Sequence, residues 1–119
     1  MRVSDLPNLR RLARAKRITY SRHAFTQMLN RGIRTDDIES ILESNTNQLI
    51  EIQSPSTTPG KQHCNERDLI YDPNHCPDAI VIIVILLHPS PEIRVVTVEL
   101  PDSSIWEKHL DKDPALTRK

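Results

Sequence analysis

The sequence predicts an α+β domain, with N-terminal helices packed on a four-stranded, mostly antiparallel sheet and a short C-terminal docking helix. Three observations predict it. Up to about residue 45 the apolar residues recur at helical spacing. From Gln48 onward the pattern shortens to strand-like runs, of which Ile80 to Leu87 is unbroken. After Leu100, Ile105, Trp106 and Leu110 return to a helical spacing behind Ser103 and Ser104, either of which can cap a helix. One domain, residues 1–119, is expected at this length, which is enough for a single core without staples.

Ser4 or Asp5 caps the first helix and Pro7 suits its first turn. Leu6, Leu9, Leu12 and Ala13 form its apolar stripe, with Arg10, Arg11 and Arg14 left in water. Arg17 to Tyr20 reads as an extended link. The second helix runs from Ser21, a good N-cap, to Gly32, a residue that can end a helix in the left-handed conformation without strain. Its expected buried stripe is Ala24, Phe25, Met28 and Leu29, which places His23, Gln27 and Arg31 together on the more exposed side. Thr35 starts a third helix, with Asp36, Asp37 and Glu39 at its positive end and Ile38, Ile41 and Leu42 facing inward.

Gln48 to Ile52 is the first expected strand, and residues 53–65, with Pro55, Pro59 and Gly60, form a long loop. A second strand spans Glu66 to Asp72. The third, Ile80 to Leu87, is apolar throughout, the pattern of a central strand covered on both faces. Pro89-Ser90-Pro91 turns the chain into a fourth strand, Ile93 to Leu100, which pairs with the third as a hairpin. In it Ile93, Val95, Thr97 and Glu99 alternate with Arg94, Val96, Val98 and Leu100. The last nine residues are expected to fray.

With 3% aromatic residues, the core must come from Ile, Val and Leu. No N-terminal apolar run resembles a signal peptide, and the longest apolar run is too short to span a bilayer as a helix. These features predict a cytoplasmic protein with no membrane partner, a monomer when free, whose two cysteines are reduced thiols. The formal net charge of zero conceals an asymmetry: residues 1–34 carry nine Lys and Arg against one acid, giving +8, and the remainder carries −8. A basic third is either a phosphate-facing surface or the partner of acidic residues in the same molecule.

Two segments carry a resemblance. The first is Arg22-His23-Ala24 followed by Met28, Arg31-Gly32-Ile33 and Asp36-Asp37-Ile38; the second is Val96-Thr97-Val98-Glu99 followed by Pro101-Asp102 and Trp106. Together they resemble the bacterial domain-of-unknown-function family numbered 4258, across roughly residues 6 to 110. That family is thought to be related to the RelE-like and motility-quorum-sensing-regulator-like toxins, small α+β endoribonucleases of toxin–antitoxin modules. The resemblance therefore implies an RNA substrate and an antitoxin partner, often of zinc-finger or helix-turn-helix type. His23 and Arg31 match the recurring His and second Arg of the family pattern. Gln27 stands where an Arg is usual, and Asp78-Ala79-Ile80 lacks the His that members often place before the central strand.

Metal-free RNA cleavage requires a base for the 2′-hydroxyl, cationic stabilisation of the phosphorane and an acid for the 5′-oxygen. An imidazole titrates near neutrality, so His23 can serve as acid or base. Arg31 can clamp the phosphate with planar paired donors, and Arg67 can add a third catalytic group. Arg22, Gln27 and Lys61 complete the expected RNA contacts with Tyr71, whose ring, like that of Tyr20, can stack on a base. No cofactor is expected. His63-Cys64 and His75-Cys76 could supply four zinc ligands, but their spacing matches no recognised zinc site, and no metal is expected. The competing expectation is a non-catalytic interaction domain that keeps the toxin-like fold.

Overall fold

The computed structural model describes residues 6–54, 66–75, 79–87, 91–109 and 114–119. Three helices, α1 (Leu6–Arg14), α2 (Arg22–Arg31) and α3 (Thr35–Glu43), form the N-terminal part, with strand β1 (Ile18–Tyr20) between the first two. The strands β2 (Gln48–Gln53), β3 (Arg67–Tyr71), β4 (Val81–Leu87) and β5 (Glu92–Glu99) follow, and β6 (Trp106–Lys108) and β7 (Leu116–Arg118) close the chain. The main sheet runs β1-β5-β4-β3-β2, and β6 and β7 form a separate two-stranded ribbon.

This corrects the expected architecture in two places. The sheet is five-stranded and mixed, because Ile18-Thr19-Tyr20, read as a link, pairs in parallel with Ile93-Arg94-Val95. Three residues carry little periodicity, and the pairing depends on a strand more than seventy positions away. The C-terminal helix is absent: Trp106-Glu107-Lys108 pairs antiparallel with Leu116-Thr117-Arg118. The serines read as a helix cap sit in an Asx turn instead, in which the Ser104 N–H donates to Asp102 Oδ1 at 2.9 Å. A six-residue helix has little stability of its own, whereas the ribbon buries Trp106, Ala115 and Leu116 on the sheet. The tail expected to fray is therefore partly a strand.

β4 lies in the middle of the sheet and is covered on both sides, which accounts for its unbroken apolar run. Ile82 and Val84 join Ile70, Ile93, Val95 and Val98 under the helices, where Leu9, Leu12, Met28, Ile38 and Ile41 complete the larger core. Val81 and Ile83 join Leu69 and Tyr71 beneath Trp106 and Leu116 on the opposite face. The strict alternation read along β5 does not hold, because the register shifts opposite Ile83/Val84 and Val96 is the extra residue. Ile93, Val95 and then Val98 face the helices, so Thr97 and Glu99 lie on the ribbon side.

Several of the N-terminal basic residues are held within the molecule, Arg10 and Arg17 by neutral groups and Lys16 by acids. Arg10 donates to Asn47 Oδ1 and to its carbonyl at 2.8 and 2.9 Å, and the buried Asn47 amide in turn donates to the carbonyls of Ile41 and Leu42 at the end of α3. Lys16 lies 3.5 Å from Glu39 and 3.4 Å from Glu43. Arg17 donates to the Pro91 carbonyl at 2.7 Å. Helix α3 begins with the Arg34 N–H donating to Asp37 Oδ2 at 3.0 Å, a cap supplied from the third helical residue. Among the described residues, no helix is long and apolar enough to cross a membrane.

Candidate functional site

The site is built where β1 stops. Tyr20 is opposite Val95, and beyond that point no strand among the described residues pairs with the outer side of β5. Side chains of α2 take its place. Ser21 extends the pairing with its N–H to the Val95 carbonyl at 2.9 Å, and its hydroxyl donates to the Val96 carbonyl at 3.1 Å. The same hydroxyl accepts from the Ala24 N–H at 3.1 Å and so caps the helix. Gln27 Oε1 accepts from the Val98 N–H at 2.8 Å, and Arg31 Nη1 reaches the Val98 carbonyl at 3.5 Å. Gly32, at φ 66°, ends the helix in the left-handed region, with the Ile33 N–H returning to the Met28 carbonyl at 2.9 Å.

The burial of α2 is accordingly rotated from the expected stripe. Ala24 and Met28 are buried, but Phe25 is 50% and Leu29 68% exposed. An amphipathic wheel assigns apolar residues inward; here Gln27 and Arg31 turn toward the sheet because the open edge of β5 presents backbone groups that only polar side chains satisfy. Arg22 and His23 are exposed, and their side chains make no hydrogen bond or ion pair with the described residues.

The remaining residues singled out from the sequence are dispersed. Arg67 begins β3, three residues before Ile70, whose row runs through Ile82 to Val98. That register separates Arg67 from the Arg31 contact by roughly 14 Å, from three strand residues and two strand spacings. Arg67 also shares the face of Leu69 and Tyr71, opposite the helices. Tyr71 is 6% exposed beneath the β6–β7 ribbon, where burial pushes its phenol above the ordinary range. Its ring packs in the core and is not presented for stacking. Tyr20 packs against the larger core; burial, with Glu39 and Asp36 nearby, pushes its hydroxyl up to about 12. Lys61, His63, Cys64 and Cys76 lie outside the described residues, and His75 is 3.8 Å from Asp37. Among the described residues no cluster of His, Cys, Asp or Glu is arranged to hold a metal ion.

Glu99 and Arg118 are the charged neighbours that sequence reading passed over. Arg118 donates through Nε and Nη2 to the two Glu51 carboxylate oxygens at 2.8 Å each, and its guanidinium lies 4.7 Å from the Trp106 ring centre. Glu99 sits one residue beyond Val98. Burial pushes its carboxyl above the ordinary glutamate range, the charges of Arg118 and Arg31 oppose that, and Glu51 adds to it. The signal in the sequence was an acid ending the Val96-Thr97-Val98 strand; Arg118 lay in the tail expected to fray. A groove of about 440 Å³ lined by Pro101, Trp106, Lys108 and Lys119 contains none of the residues predicted for the site.

Comparison with protein-family models, curated proteins and solved structures returned no match.

Proposed function

We propose that this chain is a metal-independent endoribonuclease acting on mRNA, the toxin of a bacterial toxin–antitoxin module, working in the cytoplasm under restraint by an antitoxin partner. The observation that carries the reading is the placement of His23 and Arg31 on one short helix locked against β5. Gln27 and Ser21 fix that helix through backbone groups of Val96 and Val98. The two residues lie two turns apart, about 12 Å along the axis. Both residues are exposed, so an RNA strand lying along the helix can meet the two together. In this reading Arg31 clamps the phosphate, His23 transfers a proton and Arg22 holds a neighbouring phosphate. Arg67 and Tyr71 have no part in it, because they lie on the other face of the sheet. No cofactor enters the reaction.

The test is inducible expression in a bacterial host with growth and total mRNA followed, comparing the parent chain with His23→Ala and Arg31→Ala. Growth arrest with mRNA loss that both substitutions relieve supports the reading; arrest undiminished in both overturns it.

A second reading is a non-catalytic interaction domain. It is favoured by Phe25 and Leu29, two large apolar side chains one turn apart and exposed on α2. Under it, expression leaves mRNA intact and Phe25→Ser abolishes capture of the partner.

A further inference from the structure

Helix α2 is held from one side. Ala24 and Met28 enter the larger core, and Ser21, Gln27 and Arg31 reach backbone groups of β5. At 3.6 residues to the turn, Arg22, Phe25, Thr26 and Leu29 fall together elsewhere, within about 100° of the helix circumference. All four are exposed.

Phe25 is the one phenylalanine of the chain. The other aromatic residues, Tyr20, Tyr71 and Trp106, pack in the two cores. A chain with few rings to fill its interior thus leaves one in water, beside a leucine one turn further on. Single exposed apolar residues are ordinary, but an adjacent pair rimmed by polar groups marks a contact surface.

Charge decides what fits it. From Ser21 to Arg34 the chain holds Arg22, Arg31 and Arg34 and no acid. Arg34 lies 3.7 Å from Asp36, whereas Arg22 makes no ion pair with the described residues. The nearby acids of α3 are engaged: Asp37 caps its own helix, and Glu39 and Glu43 face Lys16. A second copy of the chain is a poor occupant, since two such faces related by a twofold axis set arginine against arginine. RNA is also a poor occupant, because Leu29 gives a polynucleotide neither a cation nor a ring to stack on.

We propose that the Arg22, Phe25 and Leu29 face of α2 docks an acidic amphipathic helix of a partner protein. The apolar residues of that helix cover Phe25 and Leu29, and its carboxylate pairs with Arg22. The inference rests on the interaction reading above for its contact surface, and it holds whether or not the chain cuts RNA.

The experiment uses the purified full chain and a fluorescein-labelled synthetic helix of about 18 residues, with leucines along one stripe and glutamates flanking them. One control peptide carries lysine for glutamate and another serine for leucine. Fluorescence anisotropy compares the parent protein with Arg22→Glu, Phe25→Ser and Leu29→Ser, substitutions at exposed positions that the fold tolerates. The glutamate peptide is expected to bind the parent about tenfold tighter than either control, and more weakly as salt rises. Phe25→Ser and Leu29→Ser should each weaken it about tenfold. Arg22→Glu should shift the preference toward the lysine peptide by about tenfold, a change of selectivity that unfolding cannot produce.

A preference for glutamate that Arg22→Glu leaves unchanged overturns the pairing. Equal binding of the glutamate and lysine peptides, still lost in Phe25→Ser, overturns the acidic partner and leaves the interaction reading standing. Binding indifferent to Phe25→Ser and Leu29→Ser, or none by any peptide at about 1 mM, overturns both. A dimer in sedimentation that Phe25→Ser dissolves assigns the face to a second copy and overturns the proposal. A labelled oligouridylate that Leu29→Ser weakens about tenfold assigns it to RNA, with the same result.

Discussion

Gln27 Oε1 accepts a hydrogen bond from the backbone N–H of Val98 at 2.8 Å, across a sequence separation of 71 residues. The residue at which the family pattern usually has an arginine is therefore a cap on an open strand edge. An arginine there has donors only and cannot accept from an N–H. Gln27→Arg is expected to cost about 1–2 kcal/mol by leaving the part-buried Val98 N–H without its partner. Gln27→Glu keeps the acceptor and loses less. Urea unfolding of the two variants checks this, and equal losses in both would remove the cap from the account.

The rotated burial of α2 separates two residues that the helical wheel puts on one stripe. Met28 is 2% exposed and Leu29 68% exposed. Met28→Ala is expected to destabilise by about 2–5 kcal/mol, as truncations in a packed core do, and Leu29→Lys to stay within about 0.5 kcal/mol of the parent. Chemical denaturation of both variants decides which side of the helix is buried.

The ribbon is the cover of the second sheet face. Trp106 is 4% exposed between the sheet and the Arg118 guanidinium. Trp106→Ala is expected to cost about 3–5 kcal/mol and to expose Tyr71, whose fluorescence and quenching by acrylamide report the loss of cover. An unchanged melting temperature would mean that the ribbon is dispensable to the core.

Two glutamates give stability opposite dependences on pH. Hydrogen bonds from Arg118 hold Glu51 below its ordinary value of 4.5, so that stabilisation is present above 4.5 and is lost as pH falls through the lower folded value. Burial raises Glu99 above the same ordinary value, so its relative stabilisation is present below 4.5 and fades as pH rises through the higher folded value. Glu51→Gln should lower the melting temperature at neutral pH by an amount corresponding to about 1 kcal/mol or less, the range of partly exposed ion pairs, with the deficit vanishing in acid. Glu99→Gln should melt above the parent at neutral pH and converge with it in acid. Melting temperatures measured from pH 3 to 8 test both signs.

The hydroxyl of Tyr20 is buried with no hydrogen-bond partner among the described residues. Tyr20→Phe removes an unsatisfied polar atom while keeping the ring, and is expected to leave stability unchanged or raise it by about 1 kcal/mol. A loss of more than that in thermal unfolding would mean that the hydroxyl is bonded in solution.

Wherever a segment's stability is local or its burial complete, its structure was legible in the sequence. The stripe of α1, the Ser21 and Gly32 ends of α2, the acidic start of α3 and the β-branched run of β4 each carry their physical reason within a few residues. The position of His23 and Arg31 on α2 was legible for the same reason. What only the tertiary structure decided is what those elements meet. Ile18 to Tyr20 becomes a strand because β5 offers a parallel edge, and Trp106 joins a ribbon because a sheet face needs cover. Gln27 turns inward because that edge runs on past β1 with backbone groups to satisfy. Periodicity records which side of an element is apolar, and it is silent on which side finds unpaired backbone, because that demand is set by residues distant in sequence.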